Sequence, residues 1–169
     1  MAAALLVLVF VPMLIEARRA AGNERAQLAR GGVEAPGDVY AVMRVAYPAA
    51  FLLMIGEGAW RGGVPPMLFA AGLVMFVAGK LLKWSAIVAL GRAWTFKVIT
   101  VPHAPLVATG PYRVLRHPNY VGVIGELAGV GLMSGAPVTA PLATIGFGLL
   151  ILKRIRVEEQ ALASRLPNR

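Results

Sequence analysis

Cysteine is missing from the 169-residue chain. Its absence excludes a disulfide framework, a thiolate metal site and a cysteine nucleophile. Histidine is scarce: His103 and His117 are the only two. With no cysteine beside them they make a poor metal-ligand set, so no metal is expected. Charge is thin, at 15% of residues, and lopsided, with 17 Lys and Arg against 8 Asp and Glu. Internal repeats and low-complexity tracts are absent as well. The length suits one domain, 1–169.

What is abundant is apolar. Hydrophobic residues make up 58% of the chain, and glycine adds 19 more positions. Soluble chains run roughly 45–50% apolar with glycine counted in. An Ala-rich soluble bundle does not account for where the charges lie, because they gather into three blocks between long, nearly uncharged runs. The basic residues cap the ends of those runs. That is a membrane-topology pattern rather than a nucleic-acid-tracking stripe. The bilayer is the expected partner, and nucleic acid is not.

Five apolar segments stand out. The first, Ala2 to Ile15, is short for a crossing, which takes about 20 residues. Its uncharged Met-Ala-Ala-Ala start argues for a retained helix over a signal peptide. The second runs from about Tyr40 to Trp60, with Arg44 near its start and Glu57 near its end. The third is entered through Pro65-Pro66 and runs to about Leu82, with Lys80 and Lys83 at its far end. The fourth (about Tyr120 to Met133) and fifth (Pro137 to Leu152) are separated only by Ser134-Gly135-Ala136, which predicts a tight helical hairpin. Glycines in both, such as Gly122, Gly129 and Gly146, permit close helix approach. The sequence therefore predicts an all-α, polytopic membrane protein of about five transmembrane helices. Three spans (1–83) precede a cofactor loop, hairpin and tail (84–169).

Orientation follows from the basic residues. With the N-terminus outside, sixteen of the seventeen fall inside and only Arg61 outside, as the positive-inside rule expects. An even number of spans would break that tally. The expected working surface is cytoplasmic, and the expected location a bacterial inner membrane. It has three pieces: Glu16 to Val39, read as a helical extension ending in a turn at Gly31-Gly32; Trp84 to Asn119; and the tail from Lys153.

The middle piece holds both histidines. Gly110-Pro111 reads as a turn, and Pro118 as the first turn of the fourth span. His117 then sits beside a helix N-terminus, whose free amide N–H groups favour an anion. In the tail, Arg154 and Glu158 are four apart and share a helix face. The hairpin brings His117, Tyr120, Arg154 and Glu158 to one cytoplasmic mouth. Each has a plainer reading: His117 as an interfacial residue, Tyr112 and Tyr120 as membrane anchors, Arg154 with Glu158 as a surface pair. Glu126, in mid-span, is functional by default, here as a substrate contact, or else is bonded to a neighbouring helix.

Arg116-His117-Pro118-Asn119-Tyr120 with Gly122, preceded by Leu106-Val107 and Gly110-Pro111-Tyr112 and followed past the hairpin by Arg154 and Glu158-Glu159, resembles the isoprenylcysteine carboxyl methyltransferase family. The likeness covers roughly Gly91 to Leu162. It implies S-adenosylmethionine as methyl donor on the cytoplasmic side. It implies a cofactor site lined by Ala104, Pro105, Leu106, Val107, Tyr112, His117, Pro118, Asn119, Tyr120 and Glu158. Lys97 matches a more variable cofactor position. Arg154 is the implied catalytic, substrate-facing residue. His103 occupies the His-x-Leu-Val element one place early, where the family pattern would put it at Ala104. The run Val-Pro-x-x-Pro-Leu-Val-x-x-Gly-Pro-Tyr-Arg is similar to a bacterial branch that methylates hydroxyls of alkylpyrones or alkylresorcinols. The implied acceptor is a lipophilic, membrane-dissolved molecule methylated on carboxyl or hydroxyl oxygen. A phospholipid N-methyltransferase stands as the alternative enzyme. A small transporter or assembly subunit is the non-enzymatic alternative.

Overall fold

The computed structural model describes residues 1–102 and 104–164. His103 therefore lies outside the described residues. Five helices run α1 (Ala2–Leu28), α2 (Tyr40–Arg61), α3 (Pro66–Leu90), α4 (Pro118–Ser134) and α5 (Thr139–Ala163). Single 3-10 turns at Gly91–Ala93 and Gly110–Arg113 break up the long connection between α3 and α4. The fold is nearly, not wholly, all-α. Val33–Glu34 pairs antiparallel with Ile99–Thr100, a two-stranded ribbon (β1 and β2) that ties the α1–α2 connection to the α3–α4 connection. Nothing in the apolar pattern announces two-residue strands.

The helical extension expected past Ile15 is present: α1 continues unbroken through Glu16, Arg18 and Arg19 to Leu28. The expected turn follows at Gly31, whose positive φ of 78° suits glycine. One boundary differs from the sequence reading: the third segment does not stop at Leu82. Trp84 to Leu90 prolongs α3, and Ile87 there is fully buried against Ala20 of α1 and Trp94. Among the described residues, two helices are long and apolar enough to cross a membrane. They are Tyr40–Arg61, with mean hydropathy 1.3, and the stretch Pro66–Ala93, with mean hydropathy 1.8. The 17 residues of α4 reach roughly 26 Å at 1.5 Å per residue, just under a hydrocarbon core of about 30 Å.

Glycine sets the tightest packing on every side of α4: a Cβ on Gly58 of α2 would clash with the Ser134 carbonyl, one on Gly131 would clash with Ala140 of α5, and α3 meets α4 glycine to glycine. A Cβ on Gly122 would sit 2.7 Å from the Gly79 carbonyl oxygen, and one on Gly79 would sit 2.8 Å from that of Gly122. One built on Gly72 would meet the Gly129 carbonyl at 2.6 Å. Backbone cannot yield as a flexible side chain can. Gly122→Ala should lower stability by about 1–3 kcal/mol, the usual cost of overpacking. Gly146→Ala, where nothing lies within 4 Å, should be nearly silent. Thermal unfolding of the two variants in one detergent checks the pair.

The hairpin turn closes at Gly135, in the left-handed region at φ 67°. Glu57, which by sequence needs no special role, reaches across from α2. Its Oε2 accepts from the Thr139 amide and hydroxyl, both at 2.7 Å, and so caps the start of α5. Four elements meet around a buried ionic cluster. Lys83 Nζ lies 2.6 Å from Glu16 and 3.1 Å from Glu126. Lys80 Nζ lies 3.2 Å from Glu16 and 2.8 Å from Glu126. The Tyr47 hydroxyl donates to Glu126 at 2.7 Å. The apolar core, with Phe51, Met54, Phe76, Leu127, Val130 and Met133, is built from the same helices.

Candidate active site

Pro at the first position starts α4, so Pro118 fixes where His117 and Asn119 face. His117 stands just outside the helix, its ring stacked 5.7 Å from that of Tyr120. The last turns of α5 come alongside. Tyr120 donates its hydroxyl hydrogen to Glu158 at 2.8 Å, and His117 Nε2 lies 3.3 Å from Glu159 Oε1. The predicted mouth of His117, Tyr120, Arg154 and Glu158 is therefore assembled as one cluster. Arg154 and Glu158 do not pair directly; the Tyr120 oxygen lies between them, accepting from Arg154 Nε at 2.9 Å.

Arg154 is more deeply engaged than a substrate-facing residue need be. Its Nη1 donates to Asp38 at 2.8 Å and its Nη2 to the Phe96 carbonyl. Asp38 in turn accepts from the Tyr40 and Val98 amides at 3.0 and 2.8 Å. One guanidinium thus fastens together α4, α5, the start of α2 and the 94–101 stretch. Asp38 and Phe96 were not singled out from the sequence. Asp38 sits beside Gly37 in a turn-like context that reads as structural punctuation, and a backbone carbonyl has no sequence signature.

These residues border a cavity of about 890 Å³, within the range of ligand sites. Its wall includes the predicted Lys97, Ala104, Pro105, Leu106, Val107, Tyr112, His117, Asn119, Tyr120, Arg154 and Glu158. Pro118 is buried behind the wall, and Glu126 is not part of it; Glu126 is held in the ionic cluster, whose Tyr47 and Lys83 do border the cavity. The sequence reading does not reach the rest of the wall. Met13 of α1, Met43, Tyr47 and Pro48 of α2, Val123 of α4 and Phe147 of α5 form a mainly apolar end, with the exposed Leu14 at its rim and the Lys83 ammonium over the Tyr47 ring. The helical period through Tyr40, Met43, Arg44, Tyr47 and Pro48 of α2 was the available signal, since these share one face.

The two ends differ in chemistry. At the polar end, burial and the Glu158 charge push the Tyr112 phenol above its ordinary pKa, so it remains a neutral donor. Lys97 is held protonated by Glu24 and Glu34, each 2.7 Å away. Glu158 is half-buried, and its second oxygen is open to a hydroxyl or ammonium donor. The 104–108 stretch carries no helix or strand; the Ala104 amide donates to the Val101 carbonyl at 3.3 Å, and past Pro105 the backbone amides of 106–108 belong to no helix or strand ladder and can meet a flat polar ligand. Among the described residues no group of acidic, histidine or cysteine side chains is arranged to hold a metal ion.

Comparison with known proteins converges on the same stretch. The chain is 29% identical to the uncharacterized protein YpbQ of Bacillus subtilis over 94% of both chains. It is 33% identical to protein-S-isoprenylcysteine O-methyltransferase A of Arabidopsis thaliana over 52% of this chain and 46% of that protein. It is 30% identical to the cobalt-zinc-cadmium resistance protein CzcN of Cupriavidus metallidurans over 68% of this chain and 50% of that protein. The chain thus spans nearly all of YpbQ but about half the length of the plant and CzcN relatives. No solved structure matches it significantly. The model of the isoprenylcysteine carboxyl methyltransferase family matches residues 72–164, the stretch that carries α4, α5 and the α3–α4 connection just described, and the chain belongs to that family.

Proposed function

We propose that this protein is an S-adenosylmethionine-dependent methyltransferase acting on an oxygen, carboxyl or hydroxyl, of a lipophilic acceptor dissolved in the membrane. One observation carries the reading. A single cavity joins a polar end at Tyr112, His117, Asn119, Tyr120 and Glu158 to an apolar end at Met13, Met43, Val123 and Phe147. A water-soluble donor and a lipid acceptor need such a shared space. The relatives named as isoprenylcysteine O-methyltransferases support the reaction class. The acceptor itself is either a prenylcysteine-like carboxylate or a long-chain phenol or enol.

The donor would supply an electrophilic methyl group. What the chain has to do is orient and dehydrate. Glu158 offers a carboxylate to hydroxyl or ammonium groups, Tyr112 and His117 offer flat faces, and Ala104–Val107 offers backbone. Alignment alone supplies about 7–11 kcal/mol of such a barrier, so neither a metal nor a covalent intermediate is required. Arg154 sets the wall between the donor and acceptor ends. All five helices are taken as spans, with the N-terminus outside and the cavity mouth in the cytoplasm, in line with the charge tally.

Two measurements test this. Purified protein should bind S-adenosylhomocysteine in a calorimetric titration, and membranes given methyl-labelled donor should transfer label to the lipid extract. Label that survives mild base would speak against a carboxyl ester and for a hydroxyl acceptor. No binding at saturating ligand would overturn the methyltransferase reading. For topology, a reporter fused to the N-terminus should be active outside the cytoplasm and one on the C-terminus inside. An N-terminus found in the cytoplasm would end the five-span arrangement.

A further inference from the structure

The family match begins at residue 72, so α1 lies wholly outside it. Yet α1 holds the stretch that leads into the cofactor loop. Asn23 Nδ2 donates to the Gly91 carbonyl at 3.0 Å and the Trp94 carbonyl at 2.7 Å. Gln27 Nε2 donates to the Arg92 and Ala93 carbonyls at 3.1 and 3.0 Å. Two side-chain amides thus satisfy four consecutive carbonyls. Gln27 is only 4% exposed, and Ala20, one turn before Asn23 on the same face, is packed on Ile87 and Trp94. A surface helix pair would not need this arrangement, and a buried amide without its carbonyls would be costly. Two contacts pass the position on. Trp94 Nε1 donates to Asn119 at 3.4 Å, and two residues later the Phe96 carbonyl receives Arg154.

We propose that Asn23 and Gln27 are positioning residues for the methyl-donor end of the cavity. They act through the 91–94 carbonyls on Trp94, Asn119 and Arg154. The inference rests on the methyltransferase reading. It makes α1 part of the donor site, not simply a membrane anchor. The amide pair at i, i+4 does this because one helix face presents both nitrogens to a chain segment running beside it.

The test compares wild type with Asn23→Leu and Gln27→Met, which keep size and remove the N–H donors. Each should weaken S-adenosylhomocysteine binding about tenfold, less than the roughly 100-fold that a full ångström of misplacement costs. In turnover assays on lipid extract the KM for donor should rise and that for acceptor should not. A purely structural role would lower the unfolding midpoint and leave the Kd of the folded fraction unchanged. A Kd within twofold of wild type in both variants overturns the proposal. If Gln27→Met does not fold, Asn23→Ser, at a half-buried position, carries the same comparison. Wild-type protein that binds no S-adenosylhomocysteine would overturn the parent reading instead, so the two failures are told apart.

Discussion

Arg154→Lys should cut methyl transfer about 100-fold, the scale of loss when reacting groups are misplaced by an ångström. The charge is preserved, so a purely electrostatic role would predict little change. The geometry predicts otherwise. Three nitrogens of one guanidinium leave in three directions, Nε to Tyr120, Nη1 to Asp38 and Nη2 to the Phe96 carbonyl. A lysine ammonium is one point on a flexible stem and cannot serve all three. Released from Arg154, Tyr120 keeps its bond to Glu158 but loses the partner that fixes its oxygen. The 94–101 stretch loses its tie to α5. Tyr120→Phe should cost less, roughly tenfold, because Arg154 retains Asp38 and Phe96. Turnover is measured as methyl label entering lipid extract, and donor affinity by S-adenosylhomocysteine titration. Arg154→Lys at near wild-type turnover would mean that the guanidinium does not organise this wall.

The order of those two effects also marks what was legible in the sequence. A hairpin length and a helix period are enough to bring His117, Tyr120, Arg154 and Glu158 to one place, and their side chains meet there. Such short-range spacing survives into the fold. The partners that complete the site come from far away in the chain. Asp38 is 116 residues from Arg154, and Gln27 is 65 from Arg92. No periodicity relates those positions; only the tertiary packing of α1 and α2 does. The glycines of α4 read as close-approach residues, but the sequence names no partner for them: Gly122 and Gly129 meet Gly79 and Gly72 of α3, while Gly131 meets Ala140 of α5. The ribbon at Val33–Glu34 and Ile99–Thr100 is too short for an alternating pattern to register. His103, which the family pattern brought in, lies outside the described residues.

Glu126 shows the same limit from the opposite side. A lone glutamate in mid-span reads as a substrate contact or a helix tie, and its bonds here are all to the protein. It is 2% exposed and faces Lys80 at 2.8 Å, Lys83 at 3.1 Å and the Tyr47 hydroxyl at 2.7 Å, with Glu16 of α1 completing the set. Two ammonium groups and two carboxylates balance, so the cluster is tolerable only as a whole. Glu126→Leu leaves the buried Lys83 and the partly buried Lys80 on one carboxylate. Breaking a buried pair from one side costs about 3–5 kcal/mol, and that loss is expected here. Removing both members of a pair is different. Glu126→Leu with Lys83→Met withdraws one charge of each sign and leaves Lys80 on Glu16, 3.2 Å away. The double variant should therefore be more stable than Glu126→Leu alone, because no uncompensated cation remains. Denaturation of wild type, both single variants and the double variant in one detergent gives the full cycle. A double variant no more stable than Glu126→Leu would show that packing, not charge balance, is what Glu126 supplies. If instead the pair recovers, Glu126 is the counter-ion that lets α3 carry two lysines into the bundle, and with them the wall of the cavity that Lys83 and Tyr47 form.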